Sequence, residues 1–176
     1  MNVPNWITVG RILLVPVFLV FAYRDSDASA IAAFGVFVVA SASDRLDGYL
    51  ARRHDLVSRA GAFLDPLADK LLVGAALVVL VDTRSFPLWA ALIIGVREVA
   101  VLVLRTTIVS SGGVLPASPA AKIKTVVQLG MVSWWLLPWD DVFWAHWLWL
   151  GAALVTTLWS GVEYFGRAER VKEVAP

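Results

Sequence analysis

Apolar and polar positions in this chain fall into long blocks. Six apolar runs can be drawn, from about Trp6 to Ala22, Ala28 to Leu50, Ala62 to Val81, Phe86 to Val109, Val126 to Trp139 and Val142 to Phe165. A helix of roughly 20 apolar residues crosses the hydrocarbon core of a bilayer. The pattern therefore predicts an all-α, polytopic membrane protein of six transmembrane helices. The fifth run is the shortest, cut by Pro138 and the Asp140-Asp141 pair. No internal repeat, low-complexity tract or linker breaks the pattern, so a single domain over residues 1–176 is expected.

Composition strengthens the membrane expectation. Of the 176 residues 59% are hydrophobic and the mean hydropathy is +0.75, well above an ordinary soluble domain. Cysteine is absent, which removes disulfides and thiolate metal sites from consideration. A net charge of +1 gives no support to a nucleic-acid partner. Met1 to Tyr23 lacks the basic start and small-residue cleavage site of a signal peptide, so it is expected to stay as the first span.

The connections alternate in charge. Arg24-Asp25-Asp27 is net negative, Arg52-Arg53-His54-Asp55-Arg59 is positive, Asp82-Arg84 is balanced, Lys122 and Lys124 are positive, Asp140-Asp141 is negative, and the tail carries Arg167, Arg170 and Lys172. Excess Lys and Arg marks cytoplasmic loops. Both termini are therefore expected in the cytoplasm.

Carboxylates inside the apolar pattern carry the candidate chemistry. Asp44, Asp47, Asp65 and Asp69 fall within or beside predicted spans, where each costs about 2.5–3.5 kcal/mol at mid-membrane unless it faces a partner or a polar cavity. At about 100° per residue, Asp44, Asp47, Gly48 and Ala51 form one stripe on the second helix, and Gly61, Asp65 and Asp69 form another on the third. The short basic loop makes those helices antiparallel neighbours, so the stripes can face each other. Oxygen donors without His or Cys suit a hard divalent cation, Mg²⁺ or Mn²⁺. Structural alternatives exist. Asp44 and Asp47 can pair with Arg45, Arg52 or Arg53, and Asp65 before Pro66 can be an N-cap. Capping accounts for only one of the four.

The string Asp44-Arg45-Leu46-Asp47-Gly48-Tyr49-Leu50-Ala51-Arg52, followed by Gly61, Asp65 and Asp69, resembles the signature of the CDP-alcohol phosphatidyltransferase family at every fixed position. The resemblance implies that the four aspartates bind metal, with Asp69 also the base. It further implies that Gly48, Ala51, Arg52, Ser58 and Gly61 line the CDP-lipid site. Arg52 has its own rationale there, since guanidinium pairs phosphate with two parallel hydrogen bonds. The opening Pro4-Asn5-Trp6-Ile7-Thr8-Val9-Gly10-Arg11 is similar to that of the bacterial phosphatidylglycerophosphate synthases of this family, which places Asn5 and Thr8 beside the nucleotide. The alternative is a capped interfacial helix start.

Arg97-Glu98, Arg105, Gly112 to Ser118 and Lys122-Ile123-Lys124-Thr125 resemble the same synthases. Arg97, Arg105, Lys122 and Lys124 then form a basic pocket suited to an acceptor that carries its own phosphate. The alternative is that they only set topology. The implied reaction joins CDP-diacylglycerol to glycerol 3-phosphate, releasing CMP, at the cytoplasmic leaflet of a bacterial inner membrane, in contact with membrane lipid and as a homodimer. CDP-dependent cardiolipin synthase and inositol-phosphate phosphatidyltransferase are rival readings within the family. A six-helix ion-coupled transporter is the rival outside it, although such sites usually lie near the midplane on interrupted helices.

Overall fold

The computed structural model describes residues 3–54, 59–110, 118–139 and 142–174; the side chains at 3–8, 44–67, 69, 109–110 and 170–174 are not among those described. The elements are all helical: α1 (Val3–Ala22), α2 (Asp27–His54), α3 (Arg59–Thr83), α4 (Leu88–Ser110), α5 (Pro119–Leu136) and α6 (Phe143–Val174). The all-α expectation is met, in the expected order.

Several boundaries follow capping chemistry more than hydropathy. Before α2, the Ser26 hydroxyl accepts the Ser29 N–H at 3.2 Å. α5 opens at Pro119, ahead of its apolar run, because the Ser118 hydroxyl accepts the Ala121 N–H at 3.1 Å and proline suits the first helical position. Lys122 and Lys124 thus ride on the helix. α6 continues past Phe165 to Val174, and Glu163 pairs with Arg167 one turn on at 2.5 Å. Between α3 and α4, Ser85 takes a φ of 53° and the Phe86 N–H reaches back to the Leu80 carbonyl at 3.1 Å.

Among the described residues no helix is long and apolar enough to cross a membrane. Charge is part of the reason: α4 carries Arg97, Glu98 and Arg105 within 23 residues, and the 18-residue α5 carries Lys122 and Lys124.

The chain groups into two compact units. In the first (Met1–Phe86 with Val132–Asp140), α1 packs on both α2 and α3, and α2 packs on α3. A four-residue connection makes α1 and α2 antiparallel. Among the described residues the buried positions of α1 are Arg11, Phe18 and Ala22, and those of α2 are Ala30, Ala33, Phe37 and Ala40, at the steps of three, four and seven that keep to one face of a helix. The alanines bring the backbones close, while Phe18 and Phe37 meet with ring centroids 6.0 Å apart. α3 contributes Ala68, Leu72, Val73, Ala76 and Leu80. Near its end, desolvation and then the Asp82 carboxylate raise the pKa of the Tyr23 hydroxyl above its ordinary value. Phe86 and Trp135 close this unit edge to face at 4.8 Å.

In the second unit (Pro87–Met131 with Asp141–Pro176) α4 packs on α6 around Val101, Ile108, Tyr164 and Ala168. α5 and α6 approach closely where Gly130 faces Trp149: a Cβ on Gly130 would stand 2.5 Å from Cζ3 of the indole. No such obstacle surrounds Gly151, where a Cβ meets nothing within 4 Å. Gly130→Ala is therefore expected to lose about 1–3 kcal/mol by overpacking. Gly151→Ala should be neutral or gain about 0.5–1 kcal/mol from helix propensity. Thermal unfolding of the two variants in one detergent checks the contrast; equal melting temperatures would refute the close contact.

Candidate functional site

The backbone settles one alternative for the carboxylates. α3 begins at Arg59, so Asp65 lies in its second turn and is not the N-cap. Spacing then shows which faces the aspartates occupy. On α2 the buried series Ala30, Ala33, Phe37, Ala40 is continued, at the same steps of three and four, by positions 44, 47 and 51. On α3 positions 65 and 69 lead into Val73, Ala76 and Leu80. Both pairs thus stand on the helix faces that, further along, form the core of the first unit. The side chains of Asp44, Asp47, Asp65 and Asp69 lie outside the described residues, as do those of Asn5, Thr8, Ala51 and Arg52, while Gly48 and Gly61 are placed by their backbone alone. Ser58 lies outside them altogether. Among the described residues no group of His, Cys, Asp or Glu forms a metal cluster.

The donor set fits a hard cation. Two packed helices each carry two carboxylates on the faces that continue into their core, and neither His nor Cys occupies those four positions. α1, which packs on both of these helices, buries Arg11 to 1% exposure on the stripe that ends in Phe18 and Ala22.

The candidate acceptor residues divide into two kinds, all within the second unit. Arg97 and Lys124 come together on one carboxylate: Lys124 Nζ donates to Glu98 Oε1, and Arg97 Nη1 donates to the same oxygen at 3.3 Å. Glu98 and Lys124 are 5% and 3% exposed. Taking two such ions out of water costs several kcal/mol each, which only close pairing recovers. Arg97 is further fixed by its Nη2, which donates to the Ser160 hydroxyl at 2.8 Å, and its guanidinium lies 5.9 Å from the centre of the Tyr164 ring. The Arg97 stem passes close to Gly161, where a Cβ would meet its Cγ at an ordinary contact distance of 3.7 Å. By contrast Arg105 and Lys122 are exposed.

Sequence assigns no role to Glu98, Ser160 or Arg11, although Glu98 and Arg11 lie in the stretches that resemble the synthases. Glu98 had a legible signal, a carboxylate inside an apolar helix that demands a partner, but nothing local points to Lys124, 26 residues on. Gln128, one turn beyond Lys124, is also buried, and its Nε2 has no hydrogen-bond partner among the described residues.

The model of the CDP-alcohol phosphatidyltransferase family matches residues 1–159. A Pseudomonas fluorescens protein named CDP-diacylglycerol–glycerol-3-phosphate 3-phosphatidyltransferase is 42% identical, covering 96% of this chain and 90% of its own. A Bacillus subtilis protein of the same name is 40% identical over 94% of both chains. One from Escherichia coli K12 is 35% identical, covering 95% and 94%. A family match over most of the chain, together with relatives aligned almost end to end, agrees with the aspartate spacing on α2 and α3: the chain belongs to the CDP-alcohol phosphatidyltransferase family.

Proposed function

We propose that this enzyme transfers the phosphatidyl group of CDP-diacylglycerol to glycerol 3-phosphate, forming phosphatidylglycerol phosphate and CMP. The observation that carries the reading is the near full-length similarity to enzymes named for that reaction. Asp44, Asp47, Asp65 and Asp69 hold a divalent cation, Mg²⁺ or Mn²⁺, which when bound offsets charge on the phosphates. Asp69 takes the proton of the acceptor hydroxyl. The hydroxyl oxygen attacks the phosphorus that bears the diacylglycerol, in line with the bond to CMP, and that bond breaks as CMP leaves. Asn5, Thr8, Gly48, Ala51, Arg52, Ser58 and Gly61 line the CDP-lipid site.

Lys124 and Arg97 already share Glu98. The exposed Arg105 and Lys122 therefore make the first contacts with the acceptor phosphate, and the Arg97–Glu98–Lys124 group stands behind them with a net positive charge.

The setting is a bacterial inner membrane, with several spans and the site at the cytoplasmic leaflet. Outward apolar side chains support this: Leu13 and Val20 on α1, Leu92 and Val96 on α4, and Val155 and Val162 on α6 are all more than half exposed. Soluble monomers rarely show so much apolar surface. The charges that set α4 apart from a simple span are in part turned inward, since Arg97 and Glu98 pair within the unit.

Release of CMP from CDP-diacylglycerol in purified membranes with Mn²⁺ or Mg²⁺ is expected with glycerol 3-phosphate and not with phosphatidylglycerol, inositol phosphate or serine. No CMP with any acceptor would sink the reading, and CMP with phosphatidylglycerol alone would replace it by cardiolipin synthesis. Asp69→Asn should keep CDP-lipid binding and lose about 10²–10⁴-fold in kcat, the usual contribution of a general base; undiminished turnover would remove that role. Arg105→Ala should raise the KM for glycerol 3-phosphate roughly ten- to hundredfold, the equivalent of one charge-assisted hydrogen bond, while an unchanged KM would take Arg105 out of the pocket.

A further inference from the structure

Among the described residues Arg11 heads the fully buried side chains by size, at 1% exposure, on a helix whose other described buried positions are apolar. Arginine keeps its proton in proteins, and a charge withdrawn from water needs opposite charge within reach. Two contacts fix its height in the first unit. α1 and α2 are antiparallel, and Phe18 meets Phe37. Seven residues from that contact, in the same spatial direction, come Arg11 on α1 and Asp44 on α2. α1 and α3 run parallel, and Tyr23 lies within electrostatic reach of Asp82. Twelve residues back from that pair are Arg11 and Lys70, with Asp69 one step further, a rise of ~1.5 Å. Two independent registers thus bring Arg11 level with one aspartate from each helix. Its own stripe, shared with Phe18 and Ala22, is the face of α1 that packs on α2 and α3.

We propose that Arg11 is a positioning residue of the carboxylate site: its guanidinium supplies the fixed counter-charge that holds Asp44 and Asp69 converged for a divalent cation. The role rests on the reading that the four aspartates bind metal. A carboxylate partner suits the burial better than a substrate phosphate does, because a partner is needed before any substrate arrives. Without Arg11 the carboxylates repel one another in a low dielectric, and the convergence that a cation needs is lost. Arg11 also repels the cation through space. Loss of outer partners nonetheless usually costs ten- to hundredfold in metal affinity, so the loss of ligand geometry decides the sign.

Thermal unfolding of the purified full chain in detergent, titrated with Mn²⁺ and without substrate, gives a readout independent of turnover. Wild type should be stabilised by Mn²⁺, and Arg11→Gln should need ten- to hundredfold more Mn²⁺ for the half-maximal shift. Arg11→Lys, which keeps the charge but loses the planar fork, should fall between. At saturating Mn²⁺ the KM for CDP-diacylglycerol of both variants should match wild type. A lowered melting temperature with an unchanged Mn²⁺ midpoint means packing alone and overturns the proposal. So does a tighter midpoint, or an unchanged midpoint with a raised CDP-diacylglycerol KM. If wild type and Asp44→Asn respond to Mn²⁺ identically, the metal site itself fails and takes this role with it; a shift that Asp44→Asn abolishes and Arg11→Gln leaves intact overturns the role of Arg11 alone.

Discussion

Charge placed between apolar helices has to be met by charge, and this constraint organises the protein from end to end. Removing one partner of a buried ion pair typically costs about 3–5 kcal/mol, far more than the pair itself contributes over an apolar substitute. Lys124, Glu98 and Arg97 satisfy the constraint by sharing one carboxylate oxygen among two cations, with Ser160 taking up a further guanidinium donor. α4, α5 and α6 are each represented in that chain of contacts. Ion pairing joins α4 to α5 here, and a hydrogen bond from Arg97 to Ser160 ties in α6.

The same constraint relates fold to chemistry in the first unit. Among its described residues the buried face of α2 is alanine with one large ring, Phe37, and this economy of volume lets α1 lie close. Further along the same face the positions become aspartates. The apolar core and the proposed acidic site are therefore two stretches of one stripe of α2, carried on the same helix backbone. Sites carried on packed helices are more precise than sites on loops.

Much of this was legible in the sequence, and the exceptions have physical causes. The order of helices follows from blocks of apolar residues, since burial or partition into lipid is what those blocks encode. The start of α5 was not, because Lys122 and Lys124 depress hydropathy while Ser118 and Pro119 set the first turn by hydrogen bonding and a fixed φ. The stripes holding Asp44, Asp47, Asp65 and Asp69 were readable from helical periodicity alone. The burial of Arg11 and the partnership of Glu98 with Lys124 were not. Periodicity describes one helix at a time, whereas these depend on the register between helices, which contacts such as Phe18 with Phe37 establish.

α6 is 32 residues long, a rise of about 48 Å, against a bilayer core of about 30 Å. In the proposed membrane setting it has several turns to spare beyond the hydrocarbon. The Glu163–Arg167 pair one turn apart helps keep the later part of the helix wound where water competes for its backbone. A rod of that length can tilt without withdrawing either end from its own environment. In that proposed setting the lipid that best surrounds this enzyme would be set by an angle as much as by a thickness, and the length of α6 would give tolerance to membranes of different depth.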